Sequence, residues 1–77
     1  MSHHNAAHQV RTIARRLSLP VKATPLGSPH AQGYATLDGA RYYLAVSMDR
    51  VVAYPGLPWK DGRTVLTPSE IGRLRPA

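Results

Sequence analysis

Apolar positions follow two different periods along this chain. Val10, Ile13 and Leu17 recur at helical spacing, with Ala6 and Ala14 beside them, so residues 1–19 are predicted to form an amphipathic helix. Ser2 or Asn5 caps its start, and Pro20 ends it near Leu19. From Gly33 to Tyr54, GYATLDGARYYLAVSMDRVVAY, the period falls to two, the mark of strands that bury one face. Asp38-Gly39 interrupts the alternation with the dipeptide that a tight type I′ turn prefers, because both central residues need positive φ. The stretch predicts a three-stranded antiparallel meander.

Its register follows from the turn. With Asp38-Gly39 as the two-residue loop, Leu37 faces Ala40, Ala35 faces Tyr42 and Tyr34 faces Tyr43. Ala35, Leu37, Tyr42, Leu44 and Val46 then share one face. The second turn lies around Met48 to Arg50. Moving it by one residue at each end slips the register by two and preserves the faces, so Val51 and Ala53 join the aliphatic side either way. The opposite face holds Tyr34, Thr36, Arg41, Tyr43, Ala45, Val52 and Tyr54. The aliphatic face is the predicted core, covered by the N-terminal helix.

The flanks are shorter and less regular. Val21 to Thr24 suits a short edge strand between Pro20 and Pro25, and Leu26 to Ala31 reads as a surface loop. Pro55-Gly56 and Asp61-Gly62 are turn signals, Trp59 between them is expected to close the edge of the core, and Arg63 to Leu66 is a candidate last strand. Thr67-Pro68-Ser69-Glu70 is a capping box with Pro at the first helical position. It opens a short helix that runs to about Leu74 and stops at Pro76, with Arg73 and Arg75 near its C-terminal end. The predicted fold class is α+β: an N-terminal helix on a three- to four-stranded antiparallel meander, then a short C-terminal helix, in α-β-β-β-α order.

Composition narrows the function classes. A chain of 77 residues is a single small domain, 1–77. It has no cysteine, which excludes disulfides, thiolate metal sites and a Cys nucleophile. No apolar run approaches the roughly 18 residues of a membrane span, and no signal-peptide core follows Met1, so the expectation is a soluble, cytoplasmic protein with no membrane partner. The net charge is +6, and eight of the ten basic residues are Arg. Arg pairs bidentately with phosphate or carboxylate and stacks on flat groups. The excess fits solubility and coding bias on one side, and a polyanionic partner on the other.

The Tyr face is the first candidate site. Tyr34 and Tyr43 form a cross-strand pair, Arg41 lies diagonal to them and Tyr54 is on the next strand. Rings interleaved with Arg on an open sheet hold single-stranded nucleic acid by stacking and phosphate contact. The same pattern also serves sheet stability or a protein hot spot. A second stripe, His4, His8, Arg11 and Arg15, shares one helix face. Two His residues among arginines make a solvated or phosphate-contacting face and no metal site, so neither metal nor cofactor is expected. His30 is the one histidine near the sheet. The four acids, Asp38, Asp49, Asp61 and Glu70, are taken up by turns and a cap, which leaves no carboxylate pair for catalysis.

Two short likenesses bear on function. Arg11 to Leu19 is similar to the first half of a helix-turn-helix, but Pro20 and Pro25 bracket a segment too short for a recognition helix. The order helix, strands, helix resembles the double-stranded-RNA-binding fold. Gly27-Ser28-Pro29-His30 ahead of Asp38-Gly39 resembles the Gly-Ser-His element of HicA-type toxins, with Pro29 breaking the motif. That resemblance implies a ribonuclease reading with His30 as its one testable residue. The leading expectation is a small basic non-enzymatic module that binds nucleic acid, DNA or RNA, through Arg11, Arg15, Tyr34, Arg41, Tyr43 and Tyr54. The alternative is a module that docks on an acidic protein surface, of the kind phages encode as inhibitors. An open sheet edge at Arg63–Leu66 leaves a homodimer open.

Overall fold

The computed structural model describes residues 3–23, 25, 27–56 and 62–77, with the side chains of residues 3–5 left out of the description. The predictions for Ser2, Thr24, Leu26, Trp59 and Asp61 lie outside these residues, as does the side chain of His4. The elements run α1 (His3–Leu17), β1 (Val21–Ala23), β2 (Pro29–Leu37), β3 (Ala40–Val46), β4 (Val51–Pro55), β5 (Thr64–Val65), α2 (Pro68–Arg73) and β6 (Leu74–Pro76). This is the α+β arrangement expected. The helix begins ahead of Asn5, which rules Asn5 out as its cap.

At its other end α1 closes with a Schellman motif. The Leu19 N–H donates to the Ala14 carbonyl at 2.7 Å and the Ser18 N–H to the Arg15 carbonyl at 3.2 Å, with Ser18 at φ 59°. That turn directs the chain back over the sheet.

All strand pairs are antiparallel, in the order β1-β2-β3-β4-β5, with β6 also paired to β2. The hairpin has the expected register: Leu37 opposite Ala40, Ala35 opposite Tyr42, Tyr34 opposite Tyr43. Asp38 and Gly39 take φ of 51° and 86°, the geometry a type I′ loop requires. The second turn sets Val46 opposite Val51.

Two expectations for the flanks are corrected. Residues 29–31 are strand, not loop, because Pro29 sits at the first strand position, where a missing N–H costs little, and Pro29 and Ala31 are buried. Residues 74–76 leave the helix and form β6 beside Leu37–Ala35. Leu74 is already extended at ψ 143°, and Arg75 is held extended by the proline that follows it. Arg75 therefore belongs to the sheet and not to a helix end. The first lengthens β2 and the second adds a strand; with β1 and β5 in the segments expected as edge strands, the sheet is six-stranded among the described residues.

The strands β1 and β6 lie end to end along one edge of β2. The first pairs with Pro29–Ala31 and the second with Ala35–Leu37, and Gln32–Tyr34 lie between them. Leu19 packs over this interval. A Cβ built on Gly33 would stand 2.5 Å from the Leu19 Cδ2, so a larger residue here would push the Leu19 side chain aside.

The core lies between α1 and the aliphatic sheet face, as the alternation predicts. Val10, Ala14 and Leu17 of α1 join Ala31, Ala35, Leu37, Leu44, Val46, Val51, Ala53, Leu66 and Leu74 in one buried cluster, with Ile13, Tyr42, Met48 and Ile71 packed against it. Arg16 ties the two helices together: its guanidinium donates to the Leu74 and Ile71 carbonyls, each at 2.8 Å. It thereby satisfies two acceptors at the C-terminal end of α2. The capping box of α2 is formed as predicted, with the Glu70 N–H donating to Thr67 Oγ1 at 3.2 Å and the Thr67 N–H to Glu70 Oε1 at 2.8 Å.

Candidate nucleic-acid interface

The sheet face opposite α1 carries the candidate site, and register decides its membership. Successive rows across the strands place Lys22 beside His30, Gln32 beside Ala45 and Val52, Tyr34 beside Tyr43 and Tyr54, and Arg75 beside Thr36 and Arg41. Among the described residues no acidic side chain lies in these rows. Cations occupy the two ends and tyrosines the middle. From His30 to Thr36 the face spans about 20 Å at the usual strand rise.

The centre is a stacked cluster. Tyr34 and Tyr43 meet edge to face, with ring centroids 5.1 Å apart and planes at 76°. The Arg41 guanidinium lies over the Tyr34 ring, 4.1 Å from its centroid. This cation–π contact holds an exposed Arg in place and presents its remaining donors outward. Tyr43 donates from its hydroxyl to Gln32 Oε1 at 3.1 Å. Both rings are half-exposed.

Tyr54 shares the row but not the exposure. It is 6% accessible and stands outside the helix-side core cluster. Its ring therefore offers little surface to a ligand.

Arg11 and Arg15 are exposed on α1. The helix covers the aliphatic face, so these two residues sit on the far side of the molecule from Tyr34 and Arg41. Six predicted site residues thus divide into three groups: Tyr34, Arg41 and Tyr43 together, Tyr54 beneath the surface, and the helix arginines apart. His8 is exposed on α1 with its Nε2 3.4 Å from Thr12 Oγ1.

Sequence reasoning missed Lys22, Gln32 and Arg75. The first and last stand on the face through β1 and β6, whose pairing with β2 carries no local signal. Gln32 carries a signal, since the alternation that places Tyr34 on this face extends back two residues to it. His30 is also relocated. It lies within β2, half-buried, opposite Lys22, rather than in a loop. Lys22, His30, Gln32, Tyr43 and Pro20 line a concavity of about 110 Å³.

Two of the acids, Asp38 and Glu70, are engaged elsewhere. Asp38 accepts two hydrogen bonds from Arg73, Nε to Oδ1 and NH2 to Oδ2, both at 3.0 Å. Those bonds, then the charge of the guanidinium, hold the Asp38 carboxyl below the usual carboxylate range, and the same pair raises Arg73. On the helix side, Ile13, Pro68 and Ile71 line a groove of about 430 Å³ together with His8, Gln9 and Thr12.

No family model matches the chain, and no curated protein or solved structure matches it either. The likeness to HicA-type toxins accordingly rests on the short run from Gly27 to Gly39. Among the described residues no helix is long and apolar enough to cross a membrane.

Proposed function

We propose that this protein is a small, basic, non-enzymatic module that binds single-stranded nucleic acid on the open face of its sheet. The observation that carries the reading is the Arg41–Tyr34–Tyr43 stack on a face without acidic side chains among the described residues. Tyr34 and Tyr43 supply ring surface for bases, while Arg41, Lys22 and Arg75 neutralise phosphates along the flanks. A base stacked on a ring contributes about 1–3 kcal/mol.

Fluorescence anisotropy with labelled single-stranded RNA and DNA tests it. With three cations engaged, log K should fall with log salt at a slope of about −2 for a single strand. Replacing Arg41 by Ala should flatten that slope by about 0.7. Tyr34→Leu should weaken binding and Tyr34→Phe should preserve it. No binding of either polymer at low salt would overturn the reading.

A second reading, a module that docks on another protein, is favoured by the apolar groove of Ile13, Pro68 and Ile71 between the helices. Binding there would vary little with salt and would be lost on Ile71→Asp, while Tyr34→Leu would leave it intact.

A further inference from the structure

The concavity at the β1 end of the open face has a narrower chemistry than the face as a whole. Among the described residues its lining is Pro20, Lys22, His30, Gln32 and Tyr43, with no carboxylate. Lys22 and His30 are directly opposed across β1 and β2, and Gln32 follows His30 on the same face. The hydrogen bond from Tyr43 to Gln32 Oε1 fixes which end of that amide is occupied. The amide nitrogen, with its two donors, is turned away from the phenol. Lysine, imidazole and amide thus bring donors to one small space.

Its volume of about 110 Å³ leaves room for one small tetrahedral oxyanion. The site adjoins the stacked rings, since Tyr43 lines it and also meets Tyr34. We infer that this concavity is a phosphate subsite, in which Lys22, His30 and Gln32 hold one phosphoryl group of a strand that continues over Tyr43, Tyr34 and Arg41. The inference rests on the proposed nucleic-acid reading for the identity of the strand. The phosphoryl group itself is recognised by its charge and acceptor oxygens, whether terminal or internal.

Two measurements test it. Inorganic phosphate is titrated into the full chain while amide NMR shifts are followed, and labelled oligonucleotides with and without a terminal phosphate are compared by anisotropy. Phosphate should move the amides of Lys22, His30, Gln32 and Tyr43 in saturable fashion, and far less in Lys22→Ala/His30→Gln. Lys22 is exposed, so its substitution leaves the fold intact. Lys22→Ala should weaken oligonucleotide binding about tenfold, the loss expected of one charge-assisted hydrogen bond. A preference for the terminal phosphate that disappears in Lys22→Ala assigns a terminal group. Equal binding of the two oligonucleotides, still weakened by Lys22→Ala, assigns an internal one.

Oligonucleotides that bind the native chain and both variants equally, with unmoved pocket amides under phosphate, would overturn the subsite, remove Lys22 from the interface, and leave the nucleic-acid reading standing on Tyr34, Tyr43, Arg41 and Arg75. Phosphate shifts at the four residues without oligonucleotide binding would support the subsite and sink that reading instead.

Discussion

Asp38, at the tip of the β2–β3 hairpin, is clasped by the planar fork of Arg73 at the end of α2, with both contacts at 3.0 Å. The pair joins a turn residue at φ 51° to a helix residue 35 positions further along the sequence. Arg73 also donates to Ser69 Oγ at 3.1 Å, which steadies the fork from its own helix. Both partners of the ion pair remain about half exposed, with side-chain accessibilities of 49% and 60%, so its contribution is screened by solvent.

This pair predicts a sign for the acid limb of stability. Arg73 depresses the folded-state value of Asp38 below its unfolded one. The stabilisation is therefore present above the unfolded carboxylate value of about 3.9, and is lost as pH falls through the lower folded value. Asp38→Asn keeps a residue that accepts positive φ and removes the charge. Its melting temperature should lie below that of the native chain at neutral pH. The two curves should converge as the pH drops under about 4. Added salt should narrow the gap at neutral pH. Parallel curves down to the acid limit would contradict the assignment.

Leu74 carries more weight than its place beside a proline suggests. It is fully buried, caps α2, pairs with Leu37 and sends its carbonyl to Arg16. Leu74→Ala should cost about 2–5 kcal/mol. A domain of this size holds on the order of 3–5 kcal/mol. Urea titration followed by circular dichroism should find the variant largely unfolded or barely folded.

Ser18 offers the opposite test. It occupies the left-handed position of the Schellman motif without being glycine. Ser18→Gly should stabilise the protein by about 0.5–1 kcal/mol, because the side chain no longer opposes positive φ. The urea midpoint should rise with an unchanged slope.

The two arginine groups can be separated by affinity. Near physiological salt the screening length is about 8 Å, whereas the shortest dimension of the molecule is 20 Å. Arg11→Ala/Arg15→Ala should therefore leave oligonucleotide affinity within about twofold, while Arg41→Ala lowers it about tenfold. The reverse ranking would move the interface to α1.

Much of the fold was legible because local and periodic signals agreed. The alternation from Tyr34 to Ala53 and the Asp38-Gly39 turn determine a register between them, and the Thr67–Glu70 box marks a helix start with its own hydrogen bonds. The edge strand β1 was also legible, between Pro20 and Pro25, although its partner was not. The start of β2 and the strand β6 are different: Pro29 and Pro76 read locally as breakers, and only pairing with distant partners turns their neighbours into strand. For the site, register correctly grouped Tyr34, Arg41 and Tyr43. Exposure was not in the pattern, so the burial of Tyr54 had no sequence signal. The separation of Arg11 and Arg15 did have one. A helix that covers the aliphatic face must carry its outward arginines on the side away from the tyrosines.

The end-to-end arrangement of β1 and β6 on β2 also has a kinetic meaning. The meander closes through near neighbours, whereas Thr36 must find Arg75 across 39 positions and Arg16 must find Leu74 across 58. Local pairing runs ahead of such closures. A nascent or partly unfolded chain would thus hold a formed hairpin with the Ala35–Leu37 end of one β2 edge bare. That edge is a template for strand addition by a neighbouring chain, and it stays so until Leu74 docks and seals it.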